Sequence, residues 1–431
     1  MFHTMGKRTS VNSNQGSTGS SGSSTNPDSR PSLGRPVQLK IDVPLLLIVL
    51  VLTVFGTLML YSASYFPSIK FYGGNPFRIV ERQIIVLLIS LAGATFLAFF
   101  NYHYWQRLAV PMIAITIFIL LAVLWTGRGG TDVRRQLLGD SVQPSELAKL
   151  AIVIYLAVWL FAKRDQIHKV SFGLIPLAIM MGVLGGLIAV QPDLSAVITV
   201  VFLGGLMFFL AGGDLKQIAI LVIVTLIAGW LVFQISATAS DRVDGFIAGM
   251  ANPLRAPDQV QRSIESFING GLVGLGIGKG QTKLTGLQVP HTDSIFAVIG
   301  EETGMLGAGF VLLLFALLLW RGFHIARRAP DELGSLLAAG LTCWIAFEAF
   351  INMASVVNLI PYAGNALPFI SKGGSNLMVT LAAIGILLNI SRLSVQIQEE
   401  NGRFFSAVVD LRGRNRRRRV SRSDRSRGLE A

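Results

Sequence analysis

The 431-residue chain has a single cysteine, Cys343, and only 14% of its residues are charged. One cysteine excludes a disulfide within the chain and any CxxC redox or zinc motif, so cysteine says nothing about compartment. Soluble globular proteins carry about 25% charged residues. With 52% apolar residues and positive mean hydropathy, this chain has more apolar surface than a soluble core could hide. The class is therefore polytopic membrane protein. HExxH and a Ser-His-Asp nucleophile are also missing. The glycine-rich stretch NGGLVGLGIGKG (269–280) lacks phosphate-loop spacing. Val273 falls where that pattern needs glycine, and Gly280 follows the lysine where Ser or Thr should stand. Close approach of its backbone to another loop or to a ligand headgroup remains.

The chain does have positive charge, +13 in all, and its location decides its meaning. Residues 1–40 hold five Lys or Arg against one Asp, and residues 401–431 hold ten Arg against three acids. Basicity confined to two tails reads as cytoplasmic under the positive-inside rule. RGRNRRRR (412–419) suits anionic lipid headgroups rather than nucleic acid. Residues 9–36, rich in Ser, Gly, Asn and Thr, read as a disordered leader without a cleavable signal.

Crossing about 30 Å of hydrocarbon takes about 20 helical residues. Ten apolar runs qualify: 43–64, 83–100, 108–126, 146–162, 172–190, 194–211, 216–236, 295–320, 334–359 and 375–393. The sequence thus predicts an all-α protein with a basic leader (1–40), a ten-helix membrane domain (41–395) and a basic tail (396–431). An even number of spans puts both tails on one side. Arg107, Lys163, Arg164, Lys169, Arg321, Arg327 and Arg328 lie in short loops on that side. Cations on the other side are exceptions that suggest an anionic ligand: Arg128, Arg134 and Arg135 after the third span, and Lys372 before the tenth. Lys70, Arg78 and Arg82 also lie there and receive no role. The 237–294 loop, between helices 7 and 8, is out of proportion to the rest, as functional loops often are.

Polar motifs cluster at the outer ends of the spans. In VPHTDSIFAVIGEETG (289–304), Asp293 suits a helix N-cap. A carboxylate there is also kept ionised by the helix dipole and able to accept a proton. Glu301 lies about 12 Å further along the helix, where it needs a buried partner: an outer-loop Arg or Lys, or the substrate. In QPSELAKL (143–150), Glu146 and Lys149 share a helical face and can pair with each other. QPDL (191–194) places Asp193 where it can cap the next span. PYAGNALPFISKGGSN (361–376), with Lys372 and Ser375, has the irregular backbone that membrane proteins tolerate around a cavity. This inventory suits a lipid-linked anionic substrate, with Arg and Lys on phosphate and a carboxylate as base. Asp293 is the candidate catalytic residue. Arg134, Arg135, Glu146, Lys149, Asp193, His291, Glu301, Lys372 and Ser375 are candidate substrate contacts.

Together these motifs resemble, in order and spacing, those of the SEDS family (shape, elongation, division and sporulation proteins), which includes FtsW and RodA. The resemblance covers residues 41–395. It implies a peptidoglycan glycosyltransferase that polymerises lipid II into glycan strands at the outer face of the cytoplasmic membrane. It also implies a class B penicillin-binding protein as transpeptidase partner, alongside other division proteins. The family's essential acid falls on Asp293 and its loop arginine on Arg135. Three positions depart from the family's pattern: Gln136 replaces a usual Trp, Lys372 a usual Tyr, and Ala363-Gly364 a usual Thr-Gly. Gly300 before the Glu pair resembles the division members more than the elongation members. No cofactor is implied with certainty, and a divalent cation (Mg2+ or Mn2+) is compatible with pyrophosphate departure. Other readings remain: a lipid II flippase, an elongation polymerase and a non-catalytic scaffold.

Overall fold

The computed structural model describes residues 41–71, 73–126, 143–191 and 193–397. The basic leader and tail, and the loop with Arg128, Arg134, Arg135 and Gln136, lie outside the described residues. Among the described residues there is no β-strand. Eight helices are long and apolar enough to cross a membrane. They are α1 (Val43–Phe71), α2 (Arg78–Phe99), α3 (Trp105–Thr126), α4 (Pro144–Lys163), α7 (Leu215–Ile235), α11 (Ile295–Arg327), α12 (Glu332–Val356) and α13 (Gly374–Ile397). Two more apolar helices, α5 (Leu174–Val190) and α6 (Leu194–Leu210), have 17 residues each and rise only about 25 Å. The turn at Asp193 ends one and begins the other, so eight of the ten expected spans meet the length requirement.

Burial sorts these helices. α7 is exposed along most of its surface, with Leu226 and Trp230 outward, as a helix facing lipid should be. α12 is its opposite: 78% of its apolar window is buried, and it packs on α4, α6 and α11. Packing alone cannot explain why α12 carries Glu348 and Asn352 at 1% exposure each. Such groups in the middle of a span are costly unless they are paired.

The large loop is not irregular. It forms α8 (Ala237–Ala251), α9 (Asp258–Gly270) and the single turn α10 (Thr282–Thr285). Its glycine run is explained by α11, which breaks at Gly304 (φ 69°, ψ −171°). Residues 271–276 run alongside the break and take up the backbone groups it frees. Met305 donates to the Gly271 carbonyl (2.9 Å) and Leu306 to that of Leu272 (3.1 Å), while Leu275 donates to Glu301 (3.0 Å) and Gly276 to Glu302 (2.9 Å). A Cβ on Gly304 would lie 2.4 Å from the Leu272 oxygen. The close backbone approach expected of the run is thus made to a helix of the same chain.

Glu301 and Glu302 fasten this arrangement. Glu301, fully buried, accepts from the Gln281 amide (2.9 Å) and from the Thr282 amide (3.0 Å) and hydroxyl (2.7 Å). Glu302 pairs with Lys283 and accepts from the Gly278 amide (2.9 Å). The acids that interrupt an apolar run therefore tie the loop to the membrane body.

Candidate functional site

A cavity of about 590 Å³ opens at one end of the bundle. The N-terminal ends of α2, α4, α6 and α13 reach it, together with the segments before α11 and α13. Asp42 and Arg321, joined at 2.9 and 3.0 Å, close the other end of the bundle. Seven expected site residues line the cavity: Glu146, Lys149, Asp193, His291, Asp293, Lys372 and Ser375. Glu301 does not, because its carboxylate is occupied by the loop. Arg134 and Arg135 lie outside the described residues.

Asp293 sits half-buried in the turn before α11. The N-cap position of that helix belongs to Ser294, whose side chain makes no cap bond. The Asp293 backbone carbonyl is held by the Asn352 amide at 2.9 Å. Its Oδ2 and the Nη2 of Arg242 both lie within 4 Å of where a Gly364 side chain would begin, and Gly364 itself holds φ 66°, which favours glycine. Close by, burial first and then the Asp293 charge hold the Tyr362 phenol well above its ordinary pKa.

The lining also carries cations. Lys372 takes its place through its amide, which donates to the His291 carbonyl at 2.8 Å. Burial, and after it the Lys372 charge, push the His291 imidazole down to about 4. It is therefore neutral at pH 7, and its buried Nδ1 has no partner among the described residues. Arg82 lines the same cavity from α2, beside Gln83, whose amide reaches the Ser371 carbonyl at 3.4 Å. Arg82 stood in the sequence as a cation on the outer side without a role, and the fold brings it to the cavity wall.

Asp193 is a satisfied cap. Oδ1 accepts from the Ala196 amide (3.2 Å) and Ser195 (2.9 Å), and Oδ2 accepts from Gln143 (3.0 Å) and Ser145 (2.8 Å). Ser375 accepts from the Gln143 amide at 2.8 Å. Lys149 pairs with Glu146 at 2.8 Å, as their spacing predicts, and also with Glu348 of α12. The Asn376 amide spans both carboxylates, at 3.1 Å to Glu146 and 3.4 Å to Glu348. Sequence reasoning missed Glu348, although a lone acid inside an apolar run was itself a signal. Among the described residues, no three His, Cys, Asp or Glu side chains group as metal ligands would.

The chain matches the family model FTSW_RODA_SPOVE, cell cycle protein, over residues 43–396. It is 38% identical over 367 residues to the probable peptidoglycan glycosyltransferase FtsW of Trichlorobacter lovleyi, a match covering 83% of this chain and 95% of that one. It is 35% identical over 359 residues to stage V sporulation protein E of Bacillus subtilis, covering 82% and 97%. Among solved structures it resembles a chain described under "Structural coordination of polymerization and crosslinking by a peptidoglycan synthase complex" (TM-score 0.65, 25% identity, 83% and 99% covered). It also resembles the rod shape determining protein RodA of Thermus thermophilus (TM-score 0.58, 25% identity, 83% and 98% covered).

Proposed function

Because the chain belongs to the FtsW/RodA/SpoVE family of cell cycle proteins, we infer that it is a peptidoglycan glycosyltransferase of the cell membrane, acting in cell division, whose cavity polymerises lipid II. The observation that carries this reading is the placing of the Asp293 carboxylate in one cavity with Arg82 and Lys372. A carboxylate base facing fixed cations is what transfer from a sugar pyrophosphate requires.

In the reaction, a sugar hydroxyl of one lipid-linked chain attacks the anomeric carbon of another. The new glycosidic C–O bond forms as the anomeric carbon–phosphate oxygen bond breaks. Asp293 takes the hydroxyl proton, and lipid pyrophosphate leaves with the bonding electrons. Arg82 and Lys372 stabilise the charge that develops on it, as oxyanion donors do in acyl transfer. Neutral His291 can share a hydrogen bond with substrate without adding charge. Arg134 and Arg135, outside the described residues, are proposed to help stabilise the departing pyrophosphate. A divalent cation, if bound by the pyrophosphate itself, would supply further stabilisation of its charge.

The tails are proposed to be cytoplasmic, where they meet anionic lipid, which puts the cavity and the 237–294 loop outside. A class B penicillin-binding transpeptidase is the proposed partner that crosslinks the product, with other division proteins around the pair. Purified protein supplied with lipid II, with and without the transpeptidase, tests the reading. Glycan strands are expected from the wild type, and about 10²–10⁴-fold slower polymerisation from Asp293→Asn. Lack of polymer from the wild type in both settings would overturn it.

A further inference from the structure

Lys149 looks at first like another ligand for pyrophosphate, and its surroundings argue otherwise. Its ammonium, at 3% exposure, donates to Glu146 and to Glu348, which are themselves 7% and 1% exposed. The second oxygen of each carboxylate accepts from the Asn376 amide. Three helices, α4, α12 and α13, thus close a ring in which two acids surround one base. With all three ionised, the ring has one negative charge in excess. A pyrophosphate against this wall would meet repulsion, while the cations Arg82 and Lys372 line the same cavity.

What the ring offers is different. Glu146, Lys149 and Asn376 face the cavity, and Glu348 lies behind them, absent from the lining. Two of the three ammonium N–H groups are used within the ring, leaving one donor beside carboxylate and amide acceptors. Paired donors and acceptors held rigidly in a buried wall match sugar hydroxyls and acetamido groups, which are uncharged and bond in both senses. Resting on the glycosyltransferase reading above, we propose that this ring seats the amino sugar of the lipid-linked substrate, with Glu348 as the residue that positions Lys149 and Asn376 for it.

Glu348→Gln is the sharp test. A carboxamide keeps the shape but has one donor edge, so in either orientation an NH2 faces either the Lys149 ammonium or the Asn376 amide. The ring opens, and the excess negative charge disappears. Binding of two probes to protein in nanodiscs then separates the possibilities without needing turnover: lipid II, and polyprenyl pyrophosphate lacking the sugar. Lipid II should weaken by about tenfold or more, the scale of a hydrogen bond to a charged group. Polyprenyl pyrophosphate should bind as before or tighter. Arg82→Ala should weaken both. Asn376→Ala opens the ring from its other side, leaves the Glu348 carboxyl and its contact with Lys149 in place, and should show the same selective loss if Glu348→Gln does not fold. Equal weakening of both probes, or no change for lipid II, overturns the proposal. The glycosyltransferase reading stands or falls separately, on whether the wild type makes polymer.

Discussion

Ser62 of α1 donates to both carboxylate oxygens of Glu302, at 2.7 and 2.8 Å, across 240 residues of sequence. Lys283 completes the contact, reaching the Ser62 hydroxyl at 2.7 Å and pairing with Glu302. The first span, the large loop and the helix that follows it are locked at a point with almost no solvent access.

Removing one partner from such a pair leaves a buried charge alone, at a cost of about 3–5 kcal/mol. Glu302→Ala is therefore expected to lower the melting temperature of the purified protein and to expose the loop to protease. Lys283→Met should do the same, and the double variant should cost less than the two single losses added together. Additive losses would mean that the pair is not coupled.

The break in α11 gives a second expectation. Gly304 has φ 69°, and an added Cβ would meet backbone atoms of the glycine run within 2.6 Å. Backbone at positive φ with ψ near 180° is essentially restricted to glycine and costs another residue about 1–3 kcal/mol, and the clash adds to it. Gly304→Ala should release residues 271–276 from α11, read as faster hydrogen exchange at the Met305 and Leu306 amides. Unchanged exchange there would remove the glycine from this role.

Much of this was legible in the sequence, and the rest was hidden for physical reasons. Runs of about 20 apolar residues mark spans because hydrocarbon thickness sets their length, and eight are long enough in the structure. Four motifs far apart in the chain could be brought together because each sits at the same end of its span. Glu301 went astray because distance along a helix does not give direction around it. Its carboxylate is claimed by Gln281 and Thr282 of the loop, which meet it only once the chain has folded. Arg82 and Glu348 were visible as charges, but only folding shows which charges converge. The helices of the loop escaped notice because the run of glycines between them resembles an irregular segment.

His291 provides a pH dependence whose sign can be worked out. An unfolded histidine titrates near 6.5, and here burial and Lys372 push the group down to about 4. Between those values the unfolded chain binds the proton and the folded one does not, so folding is penalised as pH falls. Nothing is lost above about pH 6.5, and about 3 kcal/mol is lost by pH 4. Thermal stability should fall across that window, and His291→Gln should flatten the fall. An unchanged slope in the variant would assign the dependence to another group.

Arg82 should matter through its shape as well as its charge. A guanidinium makes two parallel bonds to a phosphate, which an ammonium replaces only in part. Arg82→Ala is expected to slow polymerisation by about 10–100-fold, the scale of charge-assisted hydrogen bonds, with Arg82→Lys in between. Arg135, outside the described residues, should follow the same order if it too grips pyrophosphate. Equal loss in the Ala and Lys variants would point to a structural two-bond contact instead.

Asp293 is the residue whose replacement discriminates best, because its competing role can now be set aside. Ser294 holds the N-cap position of α11. The Asp293 backbone carbonyl, which the Asn352 amide holds at 2.9 Å, is the same in any variant. Asp293→Asn therefore keeps the shape, the turn and that contact, and removes the negative charge and with it the ability to take a proton. General base catalysis contributes about 10²–10⁴-fold, and polymerisation should fall by that factor with lipid II binding and melting temperature retained. Glu302→Ala makes the opposite pair, losing activity because the fold loosens. A flippase would have no polymerisation to lose, and a scaffold would not register the change. If Asp293→Asn made polymer at close to the wild-type rate, the base would have to be sought elsewhere in the cavity, with Glu146 the next carboxylate on its wall.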